Sequence, residues 1–210
     1  MNINNIKAVV FDCDGVMFDT SMANRMFYNH LLEYFGKDLL TDEQFLNVHM
    51  FTVEQALKYL FPEMLDLDKV YSYINKMEYN NFIPFMTIEP DLKKLVLNLK
   101  KNGYITAVAT NRTNTMKAIL DVHGLLNDFD MVVTAANVKK PKPYPDELLK
   151  IQNKFNLKPD EILFIGDSKY DELAGLRAGT FFAAFKNSSL KADFYIDNLT
   201  GIQEILTIKT

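Results

Sequence analysis

The chain has 210 residues, of which 48% are hydrophobic, and it carries a formal net charge of −4. This length suits one domain with a modest insertion, and the apolar content is high enough to exclude a disordered chain. The negative charge argues against a nucleic-acid partner, because such proteins neutralise phosphates with an excess of lysine and arginine.

The apolar run Ile6–Phe11 predicts a buried parallel strand at the start of the chain. The next stretch has helical periodicity and capping signals, which predict four helices: Ser21–Tyr34, one that begins at Thr41, Thr52–Leu60, and Leu67–Phe82. Ten acidic and five basic residues fall between residues 18 and 88, so this stretch is acidic. We expect residues 18–88 to form a separate helical domain, and residues 1–17 and 89–210 to form the core.

Strands and helices alternate after the return linker at Asn81–Pro90. The predicted strands are Ile105–Ala109, Met131–Thr134, Ile162–Ile165, Phe181–Phe185 and Phe194–Ile196. The predicted helices are Asp91–Lys101, Asn114–His123, Asp146–Phe155, Lys169–Ala178 and Ile202–Leu206. Alternation of this kind predicts an α/β fold with a doubly wound parallel sheet, into which the helical domain is inserted.

Acidic motifs come directly after two of the predicted strands. Asp12-Cys13-Asp14-Gly15-Val16 follows the first strand, and Gly166-Asp167-Ser168-Lys169-Tyr170-Asp171 follows the strand at Ile162–Ile165. Ligands of open α/β sheets bind beyond the carboxyl ends of the strands. If these two strands are neighbours, their carboxylates crowd one crevice and repel each other, so a cation is expected there. Ligands that are all oxygen suit Mg²⁺ better than Zn²⁺.

Two further segments complete a set of four motifs: Thr110-Asn111-Arg112 and Lys142-Pro143-Tyr144-Pro145. In this order the four resemble the haloacid dehalogenase (HAD) superfamily of phosphotransferases, and the resemblance covers nearly the whole chain. The stretch between the first two motifs resembles the helical cap of the subgroup that contains phosphoglycolate phosphatase and β-phosphoglucomutase. The resemblance implies a Rossmann-like core and a Mg²⁺-dependent phosphatase that acts on a small soluble phosphomonoester.

The resemblance also implies a role for each acidic residue. Asp12 is the nucleophile that forms an aspartyl-phosphate, while Asp14 protonates the leaving group and later activates water. The implied metal ligands are Asp12, Asp167 and the backbone carbonyl of Asp14, and Asp171 supports them. Local structure offers alternatives, because Asp14-Gly15 is a common turn pair and Ser168 with Asp171 forms a capping box.

Thr110 and Asn111 are expected to bind phosphate, because a hydroxyl and backbone N–H groups between a strand and a helix can hold its oxygens. Alternatively, they only end the strand. Lys142 is expected to stabilise the charge of the phosphoryl oxygens in the transition state. Lys140 also precedes a Pro-x-Pro pattern, but only Lys142 is followed by the helix-opening Asp-Glu-Leu-Leu of the family.

His49 is expected in the connection between the second and third cap helices, where the resemblance implies contact with the substrate. The family usually has a glycine near this point, whereas this chain has Val48-His49-Met50-Phe51-Thr52. An ordinary helix–helix connection is the alternative interpretation.

Two other functions remain open. A sugar-phosphate mutase of the β-phosphoglucomutase type would share the core motifs, but the acidic cap with few cations argues against it. A catalytically silent binding protein of the same fold is disfavoured by the intact Asp12, Asp14, Lys142 and Asp167.

The single cysteine, Cys13, has no nearby histidine in the sequence, so we expect it to be chemically inert. One cysteine without an apolar leader fits a cytoplasmic protein. No run of about eighteen apolar residues is present, so no membrane partner is expected. The sequence does not decide the oligomeric state, and a monomer is compatible with it.

Overall fold

The computed structural model describes residues 3–51, 53–64, 66–77 and 79–208. The chain divides into two compact units. One unit is formed by Met1–Asp19 together with Ile88–Thr210, and the other by Thr20–Thr87. No helix within the described ranges is long and apolar enough to cross a membrane.

The strands of the described residues form two sheets. They are β1 (Ala8–Phe11), β2 (Phe18–Asp19), β3 (Thr87–Ile88), β4 (Ile105–Thr110), β5 (Met131–Thr134), β6 (Ile162–Gly166), β7 (Phe181–Phe185) and β8 (Phe194–Ile196). The main sheet has the order β5-β4-β1-β6-β7-β8, and its neighbouring strands are parallel. This confirms the predicted α/β fold. The short β2 and β3 pair separately, and two residues are too few to show an alternating pattern in the sequence.

The helices agree closely with the predicted ones. They are α1 (Ser21–Tyr34), α2 (Asp42–Met50), α3 (Val53–Leu60), α4 (Asp68–Lys76), α5 (Leu92–Lys101), α6 (Met116–Val122), α7 (Asp146–Phe155), α8 (Lys169–Ala178) and α9 (Gly201–Ile205). The helix predicted over Leu67–Phe82 stops at Lys76, and 3₁₀ turns follow at Tyr79–Asn81 and Ile83–Phe85. Asn80, Asn81 and Pro84 lie in these turns and disfavour continuation of the helix. Thr52, which was predicted to begin α3, lies outside the described residues.

Both faces of the central strand β1 are buried. Ala8 and Val10 pack in an apolar cluster with Leu148 of α7. Val9 and Phe11 point to the opposite face and are also fully buried. Strands of a parallel sheet that is covered on both faces read as continuous apolar runs, which is the pattern that predicted β1.

The register of the central strands brings the two acidic motifs to one edge of the sheet. Phe11, the last residue of β1, is aligned with Val108 of β4 and Ile165 of β6. Asp12 and Asp167 therefore leave adjacent strands at nearly the same level. The carboxyl ends of β1, β4 and β6 together form the crevice that the sequence predicted.

The helical unit has a core of its own. The capping box that predicts the start of α2 is present, since Thr41 Oγ1 accepts from the Gln44 N–H and Gln44 Oε1 accepts from the Thr41 N–H. The buried residues of this core are Tyr28, Leu31, Leu32, Leu40, Val48, Ala56, Leu57, Leu60, Phe61 and Val70.

Candidate active site

Asp12 stands at the point where β1 leaves the sheet. Its N–H still donates to the carbonyl of Ile165 at 2.9 Å, so the backbone of Asp12 is held by β6. The chain then turns at Gly15, whose φ is +77°. A Cβ at Gly15 would overlap the carboxylate of Asp167. Glycine is required here because the turn needs a positive φ and because Asp167 packs directly against it.

Lys142 joins two carboxylates inside the site. Its Nζ donates to Oδ1 of Asp12 and to Oδ1 of Asp171, each at 2.6 Å, and the residue is only 4% exposed. Burial acts to lower the pKa of Lys142, but the two carboxylates raise it overall, so the ammonium group stays charged. Lys140, the alternative from the sequence, is exposed, and its Nζ lies 5.0 Å from the ring centroid of Tyr144.

The main chain of Lys142 is also held on both sides. Its N–H donates to Glu147 Oε1 at 3.2 Å, and its carbonyl accepts from Asn111 Nδ2 at 3.0 Å. Glu147 is fully buried in the first turn of α7, and burial raises its pKa. Asn111 thus supports the Lys142 loop with its side chain. Glu147 entered the sequence interpretation only as part of the helix-opening Asp-Glu-Leu-Leu, without a role of its own, because acidic residues are common in the first turn of any helix.

The two carboxylate oxygens of Asp171 have different partners. Its Oδ2 accepts from the N–H and the hydroxyl of Ser168, so the predicted capping box of α8 is present. Its Oδ1 accepts from Lys142, and the residue is fully buried. A Cβ at Gly166 would overlap the Asp171 side chain. Because both carboxylate oxygens already accept from protein donors, Asp171 fits the support of Lys142 better than direct metal binding.

Three carboxylates meet at the edge of the sheet. Ligand atoms of Asp12, Asp167 and Asp171 all lie within 4.8 Å of one another. Burial, followed by the charge of Asp171, raises the pKa of Asp167 to about 7. Burial also raises the pKa of Asp12 well above its usual range, although Lys142 opposes this. A cation would relieve this repulsion, and an all-oxygen donor set fits Mg²⁺. Asp167 is held in turn by Asn187, whose Nδ2 donates to its carbonyl at 2.8 Å.

Asp14 is held by an arginine from the loop after β4. Arg112 donates from Nε to Asp14 Oδ2 at 2.8 Å and from Nη2 to Asp14 Oδ1 at 2.6 Å. The N–H of Arg112 donates to Oγ1 of Thr110 at 3.1 Å, and Thr110 is fully buried at the end of β4. The sequence placed Arg112 inside a motif but gave it no role, because its partner lies 98 residues away.

Cys13 is buried, and burial, followed by the charge of Asp14, raises the pKa of its thiol well above the usual range. The thiol therefore stays protonated, in agreement with the expectation of an inert cysteine.

His49 is not in a connecting loop, as the sequence predicted, but in the last turn of α2. No glycine or proline interrupts the helix before Phe51, where the backbone becomes extended. The exposed His49 ring lies 5.3 Å from the ring centroid of Phe45, and its Nδ1 lies 3.5 Å from Nδ2 of Asn24. Its suggested role in substrate contact stays a prediction.

Comparison with known proteins identifies the family. The model of the family of haloacid dehalogenase-like hydrolases matches residues 9–185. A solved HAD-superfamily hydrolase of subfamily IA, variant 1, from Geobacter sulfurreducens PCA is 34% identical, with a TM-score of 0.86, and the match covers 96% of this chain and 97% of that one. A predicted phosphoglycolate phosphatase from Haemophilus somnus 129PT has a TM-score of 0.83 at 22% identity, over 96% and 98% of the two chains, which shows likeness of fold. Pyrophosphatase PpaX of Bacillus cereus (strain G9842) is 27% identical over 220 residues, covering 96% of this chain and 97% of its own. The chain therefore belongs to the haloacid dehalogenase-like hydrolases, as its four motifs predicted, and is an enzyme of that family.

Proposed function

We propose that this chain is a Mg²⁺-dependent phosphatase that hydrolyses a small soluble phosphomonoester through an aspartyl-phosphate on Asp12. The observation that carries the proposal is the contact of the Lys142 ammonium with Asp12 at 2.6 Å, beside the carboxylate of Asp167. Two similar proteins are named a pyrophosphatase and a predicted phosphoglycolate phosphatase, and both names describe enzymes that act on small phosphorylated compounds.

In the first step, a carboxylate oxygen of Asp12 attacks the phosphorus, and the bond from phosphorus to the leaving oxygen breaks. Asp14 gives this oxygen a proton, so the product leaves as an alcohol. A carboxylate nucleophile divides one difficult displacement into two easier ones. Lys142 supports this step because its ammonium is fixed next to Asp12, where negative charge builds on the phosphoryl oxygens.

In the second step, water attacks the phosphorus of the aspartyl-phosphate and Asp14 takes up a proton from it. The bond from phosphorus to Asp12 breaks, inorganic phosphate leaves, and the carboxylate of Asp12 is regenerated. Throughout this step Lys142 keeps its second partner, Asp171, which is not phosphorylated. The ammonium group can therefore stay in place while the charge on Asp12 changes.

The remaining site residues fit phosphate and metal binding. The Thr110 hydroxyl accepts from the Arg112 N–H and still has its own proton to donate to a phosphoryl oxygen. Asn111 would contribute through its backbone, because its side chain already holds the Lys142 loop. When bound by Asp12, Asp167 and the carbonyl of Asp14, Mg²⁺ would neutralise charge on the phosphoryl oxygens.

A sugar-phosphate mutase is the second candidate, because it would use the same core residues. It would also need a cation for the phosphate that is not transferred. Several cations of the helical unit are engaged by carboxylates of the same unit. These ion pairs are Arg25 with Asp42, Lys37 with Glu63, and Lys58 with Glu54. This pairing, together with the acidic charge of the unit, favours the phosphatase.

The test is hydrolysis of p-nitrophenyl phosphate by the purified protein, with Mg²⁺ and after removal of metal by EDTA. We expect activity with Mg²⁺, loss in EDTA, and poor replacement by Ca²⁺, which prefers a larger and looser coordination shell. Asp12→Asn should abolish turnover and trapping of beryllofluoride, a mimic of the aspartyl-phosphate. Asp121→Asn, on an exposed site of α6, is the matched control.

Full activity after complete metal removal would contradict the metal assignment. Near-normal turnover by Asp12→Asn would contradict the covalent mechanism.

A further inference from the structure

We propose that Arg112 is a positioning residue for Asp14, and that it orients the carboxyl group which protonates the leaving oxygen. The inference rests on the proposed phosphatase function and deepens it. In this proposal the ability of the enzyme to expel a poor leaving group depends on Arg112, which acts through Asp14.

The contact between the two side chains has a defined geometry. Two nitrogens of one guanidinium group, Nε and Nη2, each donate to a different oxygen of Asp14, at 2.8 Å and 2.6 Å. Such a bidentate pair fixes the plane of the carboxylate as well as its position. The side chain of Asp14 is 38% exposed, so without this contact it would be free to rotate into solvent.

Arg112 is itself fixed before it meets Asp14. Its N–H donates to Thr110 Oγ1 at 3.1 Å, and its carbonyl accepts from the Ala135 N–H at 2.9 Å. Its Nη1 donates to Thr115 Oγ1 at 3.2 Å, and its side chain is 10% exposed. The main chain of Arg112 is thus held from the ends of β4 and β5, and its guanidinium group is held from the start of α6. It provides a rigid frame against which Asp14 is aligned.

This alignment is compatible with proton transfer. When one oxygen of Asp14 carries the proton for the leaving group, the other oxygen can still accept from Arg112. The carboxyl group then keeps one of its two contacts while it donates. A positioned general acid accelerates a reaction by about 10²–10⁴-fold, and it must lie within hydrogen-bond reach of the leaving oxygen.

The proposal has a specific kinetic consequence. A leaving group that departs readily as an anion needs little help from Asp14, whereas a more basic one needs the proton. Phenyl phosphate and p-nitrophenyl phosphate are similar in size, but phenolate is the more basic leaving group. In this mechanism kcat/KM includes departure of the leaving group and excludes the later hydrolysis of the aspartyl-phosphate. Loss of Arg112 should therefore affect kcat/KM for phenyl phosphate more than for p-nitrophenyl phosphate.

The experiment compares Arg112→Ala and Arg112→Gln with the wild type on both esters in the presence of Mg²⁺. We expect kcat/KM for phenyl phosphate to fall by about 10²-fold and that for p-nitrophenyl phosphate by less than about tenfold. Lys117→Ala removes an exposed cation from α6 and is the matched control, with both values unchanged. Arg112→Lys should restore activity only in part, because an ammonium group cannot span both oxygens.

Trapping of beryllofluoride on Asp12 shows whether each variant has kept the folded site, since Asp12 and Lys142 are unaltered. An equal fall of kcat/KM for both esters, with an increased KM, would overturn the proposal and make Arg112 a ligand of the phosphoryl group. Full recovery with lysine would also overturn it, because charge alone would then suffice. A wild type that hydrolyses neither ester would refute the phosphatase function itself, which is a different result.

Discussion

Replacing Lys142 with methionine would remove an ammonium group from between two buried carboxylates. Its Nζ lies 2.6 Å from Asp12 and 2.6 Å from Asp171, which are 7% and 0% exposed. Methionine keeps a similar unbranched stem, so the change is mainly one of charge. Removal of one partner from a buried ion pair costs about 3–5 kcal/mol, because the remaining charge is left without compensation.

The expected loss can be measured as a lower Tm. A domain of this size loses about 2–4 °C in Tm for each kcal/mol, so the Lys142→Met variant should unfold about 6–20 °C below the wild type at neutral pH. The sign of the pH dependence follows from Asp12. Burial and the neighbouring carboxylates raise its pKa in the folded state, and Lys142 is the group that opposes them. Without Lys142, Asp12 takes up a proton more readily, so the deficit in stability should shrink at low pH and grow as the pH rises.

Thermal unfolding followed by circular dichroism at pH 5, 6.5 and 8, without metal, tests this reasoning. Lys140→Met is the matched control, because Lys140 is exposed and only two residues away. It should stay within about 2 °C of the wild type. The reasoning would be refuted if Lys142→Met unfolded together with this control, or if its deficit grew as the pH was lowered.

Two further predictions concern the metal and the substrate. Burial and Asp171 raise the pKa of Asp167 to about 7, so the contribution of Asp167 to the stability of the metal-free protein should fall as the pH rises from about 4 through 7. The gain in Tm on adding Mg²⁺ should therefore increase from pH 6 to pH 8 and disappear in Asp167→Asn, whereas a gain that is equal at both pH values would contradict the assignment. His49→Ala should lower kcat/KM for the best substrate of a metabolite panel several-fold, the size of one lost hydrogen bond, with little change for p-nitrophenyl phosphate. Equal effects on both substrates would indicate a role in folding of the helical unit, and no effect would place His49 on an ordinary helix surface.

Most of the fold could be predicted because its elements carry strong local signals. β1 and β6 are continuous apolar runs, as expected for strands that are buried on both faces. The capping boxes at Thr41 and Ser168 marked the starts of α2 and α8. The proximity of Asp12 and Asp167 followed from one topological assumption, that their strands are neighbours, and the register confirms it.

The contacts that organise the site could not be predicted, because they join residues that are distant in sequence. Lys142 meets Asp12 across 130 residues, and no periodicity or capping rule links the two. The same holds for Arg112 and Asp14, and for Asn187 and Asp167. The error at His49 arose from a local signal. The family resemblance placed a connection at this residue, although the sequence there can continue a helix and α2 extends to Met50.

In the proposed mechanism two carboxylates on one turn perform different chemistry, and these contacts account for the difference. Asp12 and Asp14 are two residues apart, yet each is paired with a different cation. Asp12 contacts Lys142, which is anchored by the buried Asp171 from the segment after β6. Asp14 is held by Arg112 from the loop after β4, on the other side of β1 in the sheet. A buried carboxylate beside a fixed ammonium group is suited to the role proposed for Asp12, which is to receive the phosphoryl group. A more exposed carboxyl group in a guanidinium frame is suited to move a proton to or from the leaving oxygen and water. Exchange of the two cations, in a variant carrying Lys142→Arg and Arg112→Lys, should therefore disrupt both steps even though the net charge of the site is unchanged.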